Sequence, residues 1–120
     1  MKLSPEFVEE ILQADNKALA TYGKHGINVV PVSTVRVVDG TILLMNYFMN
    51  KTIENILENQ HVALSCWKGM KGCQIKGTIS YVSEGAIFEE AKDWIEKNVS
   101  NRTLKGLLVL TPQSVHTVTP

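Results

Sequence analysis

The chain has 120 residues, 12 basic against 12 acidic side chains and 44% hydrophobic residues. That length holds one domain around one core. The balanced, interspersed charges exclude the electrostatic footprint of a nucleic-acid binder, and no apolar run is long enough to span a bilayer. Residues 1–6 lack the apolar core of a signal peptide, so a cytoplasmic location is expected.

Ser4-Pro5-Glu6 combines an N-cap hydroxyl, a proline at the first helical position and an early acid. With Phe7, Val8, Ile11 and Leu12 on one stripe, it predicts a helix to about Asp15. A short strand over 17–22 and a glycine-bearing turn at 23–26 follow. The valine-rich stretch 27–38 predicts one long strand, and Asp39-Gly40 predicts a hairpin returning through 41–45. Ile53, Ile56 and Leu57 set among polar residues mark a short amphipathic helix from Lys51 to near Gln60. Two strands, 61–67 and 73–82, are expected across a connection at 68–72, the second alternating apolar and polar. Ile87, Phe88, Ala91, Trp94 and Ile95 then predict a helix, and two final strands, 106–110 and 114–118, are expected on either side of Pro112.

Hairpins rather than repeating βαβ units make this a mainly β fold with flanking helices, a small antiparallel barrel of Greek-key-like type. The two-faced apolar strands call for a second subunit to cover the outer surface.

Chemistry by protein side chains alone finds little support. There is no GxSxG, HExxH or Walker lysine, no metal-ligand constellation, and His25, His61 and His116 are scattered singly. Redox or group-transfer chemistry would require a cofactor. Cys66 and Cys73 lie outside CxxC or zinc spacing and read as small buried apolar side chains. Residues 50–55, Asn-Lys-Thr-Ile-Glu-Asn, place a cation, a hydroxyl and free backbone N–H groups at a helix start, which are the parts of a phosphate site. A helix cap with a solvated Lys51 is the structural alternative.

Taken in order, Val29-Val30-Pro31-Val32-Ser33-Thr34, Thr41-Ile42-Leu43-Leu44-Met45, Lys51-Thr52 with Asn55, His61-Val62-Ala63-Leu64 and Ile75-Lys76-Gly77-Thr78 resemble the pyridoxamine 5'-phosphate oxidase-like FMN-binding split barrels. The resemblance implies a homodimer with FMN in clefts at the subunit interface; the charge balance and the lack of a long apolar run already leave no nucleic-acid or membrane partner expected. It assigns Val30, Pro31, Val32 and Ser33 to the strand beside the isoalloxazine ring, with Ser33 as its hydroxyl ligand. Asn46, Tyr47, Phe48 and Met49 match the segment leading to the ribityl and phosphate groups, and Lys51 and Thr52 match the phosphate-binding pair. Where Tyr47 and Phe48 stand, short members of the family often carry small residues. Three alternatives stay open: these aromatics stack on the flavin, narrow its cleft or exclude it. The basic C-terminal region that recognises pyridoxamine phosphate has no counterpart up to Pro120, so that substrate is not expected. The expected function is an FMN-binding redox protein, a small flavin oxidoreductase or electron carrier. The alternative is a non-catalytic module that binds, senses or carries flavin, haem or a deazaflavin.

Overall fold

The computed structural model describes residues 1–118. Its elements run α1 (Pro5–Gln13), β1 (Asn16–Gly23), β2 (Gly26–Pro31), β3 (Val35–Val38), β4 (Thr41–Asn46), α2 (Lys51–Glu58), β5 (His61–Lys68), β6 (Lys71–Val82), α3 (Ala86–Asn98) and β7 (Gly106–Thr117). All seven strands join one antiparallel sheet in the order β2-β1-β5-β6-β7-β4-β3. The two edge strands, β2 and β3, are therefore consecutive in the chain. A flat sheet of seven strands would hold its edges about 29 Å apart, whereas the connection through residues 32–34 reaches at most about 14 Å. The sheet must curl until its edges approach, and the result is a split β-barrel.

The run 27–38, expected as one strand, is thus two strands and a corner. Val32 N–H donates to the Lys17 carbonyl at 2.9 Å, continuing the β1–β2 pairing, and Met45 N–H donates to the Thr34 carbonyl at 3.2 Å, opening the β3–β4 pairing. Each half belongs to a different neighbour, so the chain turns between them at Ser33. The Asp39-Gly40 hairpin is as expected, with φ of 49° and 78° at its two residues, the backbone of a type I′ turn. The β5–β6 connection is tighter than the sequence suggests, because Lys68 already pairs with Lys71 across Gly69-Met70. The last two expected strands are one. β7 continues through Pro112, which faces Gly77 where the β6–β7 register shifts, so the proline's missing N–H falls at an irregularity.

Alternate residues of the sheet, among them Leu19, Ile42, Leu44, Leu64, Ile75 and Leu108, fill the barrel interior together with Ile11 of α1 and Ile56 of α2. Ser4 caps α1, its Oγ accepting from Phe7 N–H at 3.3 Å. The opposite face of β4 and β7, carrying Leu43, Met45 and Leu107, lies under Phe88, Ala91 and Ile95 of α3. This second cluster explains why β4 is apolar on both sides. Among the described residues no such cover lies over β1 and β2, where Tyr22, Ile27 and Val29 are 58, 79 and 61% exposed. Among the described residues no helix is long and apolar enough to cross a membrane.

Cys66 and Cys73 are directly paired across β5 and β6, both buried in the barrel core as free thiols. Burial, reinforced by the neighbouring Cys73 sulfur, pushes the Cys66 thiol from 9.0 to about 12, and burial pushes Cys73 to about 11. A raised thiol pKa means that the native state keeps its protons while the unfolded chain ionises above about pH 9. Stability should hold below that pH and decline above it. A thiol-reactive disulfide reagent at pH 8 should label neither cysteine in the native protein and both after denaturation. Rapid native labelling would contradict the burial.

Candidate functional site

The corner between β2 and β3 and the loop between β4 and α2 face each other across a cleft of about 270 Å³. Val30, Pro31 and Ser33 form one side, and Met45, Tyr47, Phe48 and Met49 form the other. The loop has a fixed shape because the buried Asn46 organises it. The Asn46 Nδ2 donates to the Tyr81 hydroxyl at 3.0 Å, its Oδ1 accepts from Met49 N–H at 2.7 Å, and its carbonyl accepts from Lys105 N–H at 2.9 Å. Tyr47 is 6% exposed, packs with Leu43, Phe88 and Leu104, and donates its hydroxyl to Thr34 Oγ1 at 2.9 Å. It is a wall of the cleft and ties that wall to the corner. Phe48, at 72% exposure, stands free at the rim.

Of the residues expected at a ligand, the cleft brings together Val30, Pro31, Ser33, Tyr47 and Phe48. Val32 points into the barrel core with its N–H spent on Lys17, so only its carbonyl is left for a ligand. Asn46 shapes the loop from beneath. Thr52 is 1% exposed, and its Oγ1 accepts from Asn28 Nδ2 at 3.2 Å, which ties the first turn of α2 to β2. Lys51 is exposed at the start of that helix, two residues beyond Met49. Asn50, the preceding residue, makes no side-chain cap, and among the described residues no other side chain accepts from the first N–H groups of α2.

Three contributions take their roles from the fold. Met45 and Met49 add polarizable thioether walls. Asn55 is fully buried: its Oδ1 accepts from His25 N–H at 2.8 Å, and its Nδ2 donates to Thr21 Oγ1 and the Gly26 carbonyl, both at 3.1 Å. It locks α2 onto the β1–β2 turn. Nearby, His25 and Lys24 approach Glu54 at 3.1 and 3.2 Å and hold its carboxyl below the usual range. The third is Arg102, whose guanidinium lies 5.6 Å from the ring centres of both Tyr47 and Phe48. Arg36, the other arginine, stacks at 4.8 Å over Trp94 instead.

A larger hollow of about 530 Å³ lies on the outer sheet face, where Ala20, Tyr22, Ile27, Ala63 and Lys76 are among its lining. It belongs to the uncovered apolar face rather than to the cleft. Pro31 links the two regions, because Ile27, Val29 and Pro31 alternate onto the exposed side of β2.

The sequence profile of the pyridoxamine 5'-phosphate oxidase family matches residues 3–119. An uncharacterized protein of Methanocaldococcus jannaschii is 35% identical over 116 residues, covering 92% of this chain and 76% of that protein. Among solved structures, Group A Streptococcus HupZ superposes with a TM-score of 0.84 at 21% identity, over 97% of this chain and 94% of its own. An FMN-binding protein from Syntrophomonas wolfei gives 0.78 at 20% identity, over 96 and 88%. The heme storage protein HutZ from Vibrio cholerae gives 0.73 at 16% identity, over 97 and 94%. These likenesses share the split-barrel fold described above. By its sequence, the chain belongs to the pyridoxamine 5'-phosphate oxidase family.

Proposed function

We propose that this chain is an FMN-binding redox protein, working as a homodimer with the flavin held at the subunit interface. The observation that carries the reading is the composition of the cleft. Aromatic and thioether walls meet the exposed Ser33 hydroxyl, and Lys51 and Arg102 stand near the same loop without a carboxylate within 4.0 Å among the described residues. A flat, largely apolar ring system with a polar edge and an anionic tail matches that donor set. When bound, FMN would supply acceptance of a hydride or of electrons. The chain's own residues would position it: Ser33 and the corner backbone at the ring's polar edge, Phe48 against its face, and Lys51 with the first N–H groups of α2 on the phosphate.

Two observations support the dimer. The cleft, at about 270 Å³, falls below the roughly 300–1,000 Å³ that encloses a ligand of this size. A second subunit would add a further wall around the ring. The uncovered apolar face begins at Pro31, on the cleft's own border, so a second copy seated there would both cover that face and complete the wall. Among the described residues, the wall that this subunit supplies carries no histidine or cysteine, which favours flavin over a haem held by one of these.

The purified protein should carry, or take up, FMN with the visible bands of the oxidised flavin, and should sediment as a dimer at micromolar concentration. Reduction of the bound flavin by a nicotinamide nucleotide with turnover would make it an oxidoreductase, while binding without turnover would make it a carrier or sensor. A colourless monomer that takes up no flavin would remove the proposal.

A further inference from the structure

We infer that Arg102 is a second residue, beside Lys51, that recognises the anionic group of the cleft's ligand, a role resting on the reading of the cleft as a flavin site. The loop after α3 is fixed where it leads into β7. Leu104 is buried against the Tyr47 cluster, and Lys105 N–H donates to the Asn46 carbonyl at 2.9 Å. Asn101 turns the chain with a φ of 59°, immediately before Arg102. These constraints place the guanidinium 5.6 Å from the centres of both aromatic rings on the cleft's loop side.

An arginine at such a perch is poised rather than used. Its planar cation rests on the rings, yet among the described residues no carboxylate lies within 4.0 Å of it, so its five N–H donors remain open to an incoming anion. A guanidinium can hold two phosphate or carboxylate oxygens at once while still stacking on an aromatic face, which a lysine cannot do. The ligand class follows: a planar aromatic molecule bearing anionic oxygens, for which the phosphate of FMN is the assignment made here.

The test is titration of the full-length apoprotein with FMN and with riboflavin, in wild type, Arg102→Gln and Arg102→Lys, with thermal unfolding of each apoprotein as a check on folding. FMN affinity should fall about tenfold or more in Arg102→Gln and less in Arg102→Lys, and it should weaken with added salt in wild type more than in Arg102→Gln. Riboflavin affinity should be the same in all three. FMN binding unchanged in Arg102→Gln would overturn the role of Arg102 and leave the flavin site standing. Equal weakening of both flavins would make Arg102 a wall of the cleft and also overturn it. If wild type binds neither flavin, haemin and haemin dimethyl ester form the second arm. Loss of haemin alone in Arg102→Gln would keep the anion role and discard the flavin, whereas no binding of either porphyrin would discard both.

Discussion

Replacing Asn55 with alanine is expected to cost about 2–4 kcal/mol of stability, the largest effect of any single polar substitution proposed for this chain. The side chain is fully buried and makes three hydrogen bonds, to His25 N–H, Thr21 Oγ1 and the Gly26 carbonyl. Thr21 is itself 3% exposed, so its hydroxyl would lose its amide partner away from water, and an unsatisfied buried group costs about 1–3 kcal/mol. The Gly26 carbonyl loses the same amide. His25 lies at an exposed turn, where water replaces the lost acceptor, which keeps the total below the sum of three full penalties. Asn55→Asp should be no better, because it keeps an acceptor for His25 but turns the donor into a buried charge. Urea unfolding measures this directly, as a lowered midpoint at unchanged slope. A loss under about 1 kcal/mol would mean that α2 is held to the β1–β2 turn by packing alone.

The local elements were legible where a short-range rule decides the structure. Ser4-Pro5 starts α1, Asp39-Gly40 makes its hairpin, and the spacing of Phe88, Ala91 and Ile95 gives α3 its buried face, with Ile87 left exposed. The failures share one cause. The valines of 27–38 favour extended backbone on both sides of the corner, and extended preference carries no information about which neighbour a residue pairs with. That Ser33 sits between two different pairings depends on β2 and β3 being the opposite edges of one curled sheet, a property of the whole topology. Pro112 reads locally as a strand break for the same reason, since only the β6–β7 register places its missing N–H at an irregularity. In the site, Ser33, Tyr47 and Phe48 were visible through their place in an ordered pattern. Asn46, Thr52 and Asn55 are polar residues whose side chains bond within the protein, a distinction made by burial and not by residue type. Arg102 lies more than fifty residues from Tyr47 and Phe48, with no motif around it, and only the fold carries it to their rings.

Lys51→Ala is expected to weaken FMN binding by about ten- to a hundredfold while leaving riboflavin affinity nearly unchanged. A phosphate monoester carries close to two negative charges at neutral pH, and the start of α2 offers what neutralises them. Lys51 is exposed and free of any carboxylate within 4.0 Å among the described residues. No side-chain cap occupies the first-turn N–H groups beside it. Each charge-assisted hydrogen bond is worth roughly 1.5–3 kcal/mol, so loss of one lysine contact accounts for the stated range without any change in the ring's environment. Thr52 behaves differently because its hydroxyl already accepts from Asn28 in a buried site. Thr52→Val should lower stability and weaken both flavins together. The same titration also separates Lys51 from Arg102: if each contacts the phosphate, the double variant loses more FMN affinity than either single variant. Should Lys51→Ala leave FMN affinity intact, the phosphate would not lie at the helix start, and the anionic end of the ligand would be held from the Arg102 side of the loop alone. Equal weakening of both flavins would instead assign Lys51 to the stability of α2.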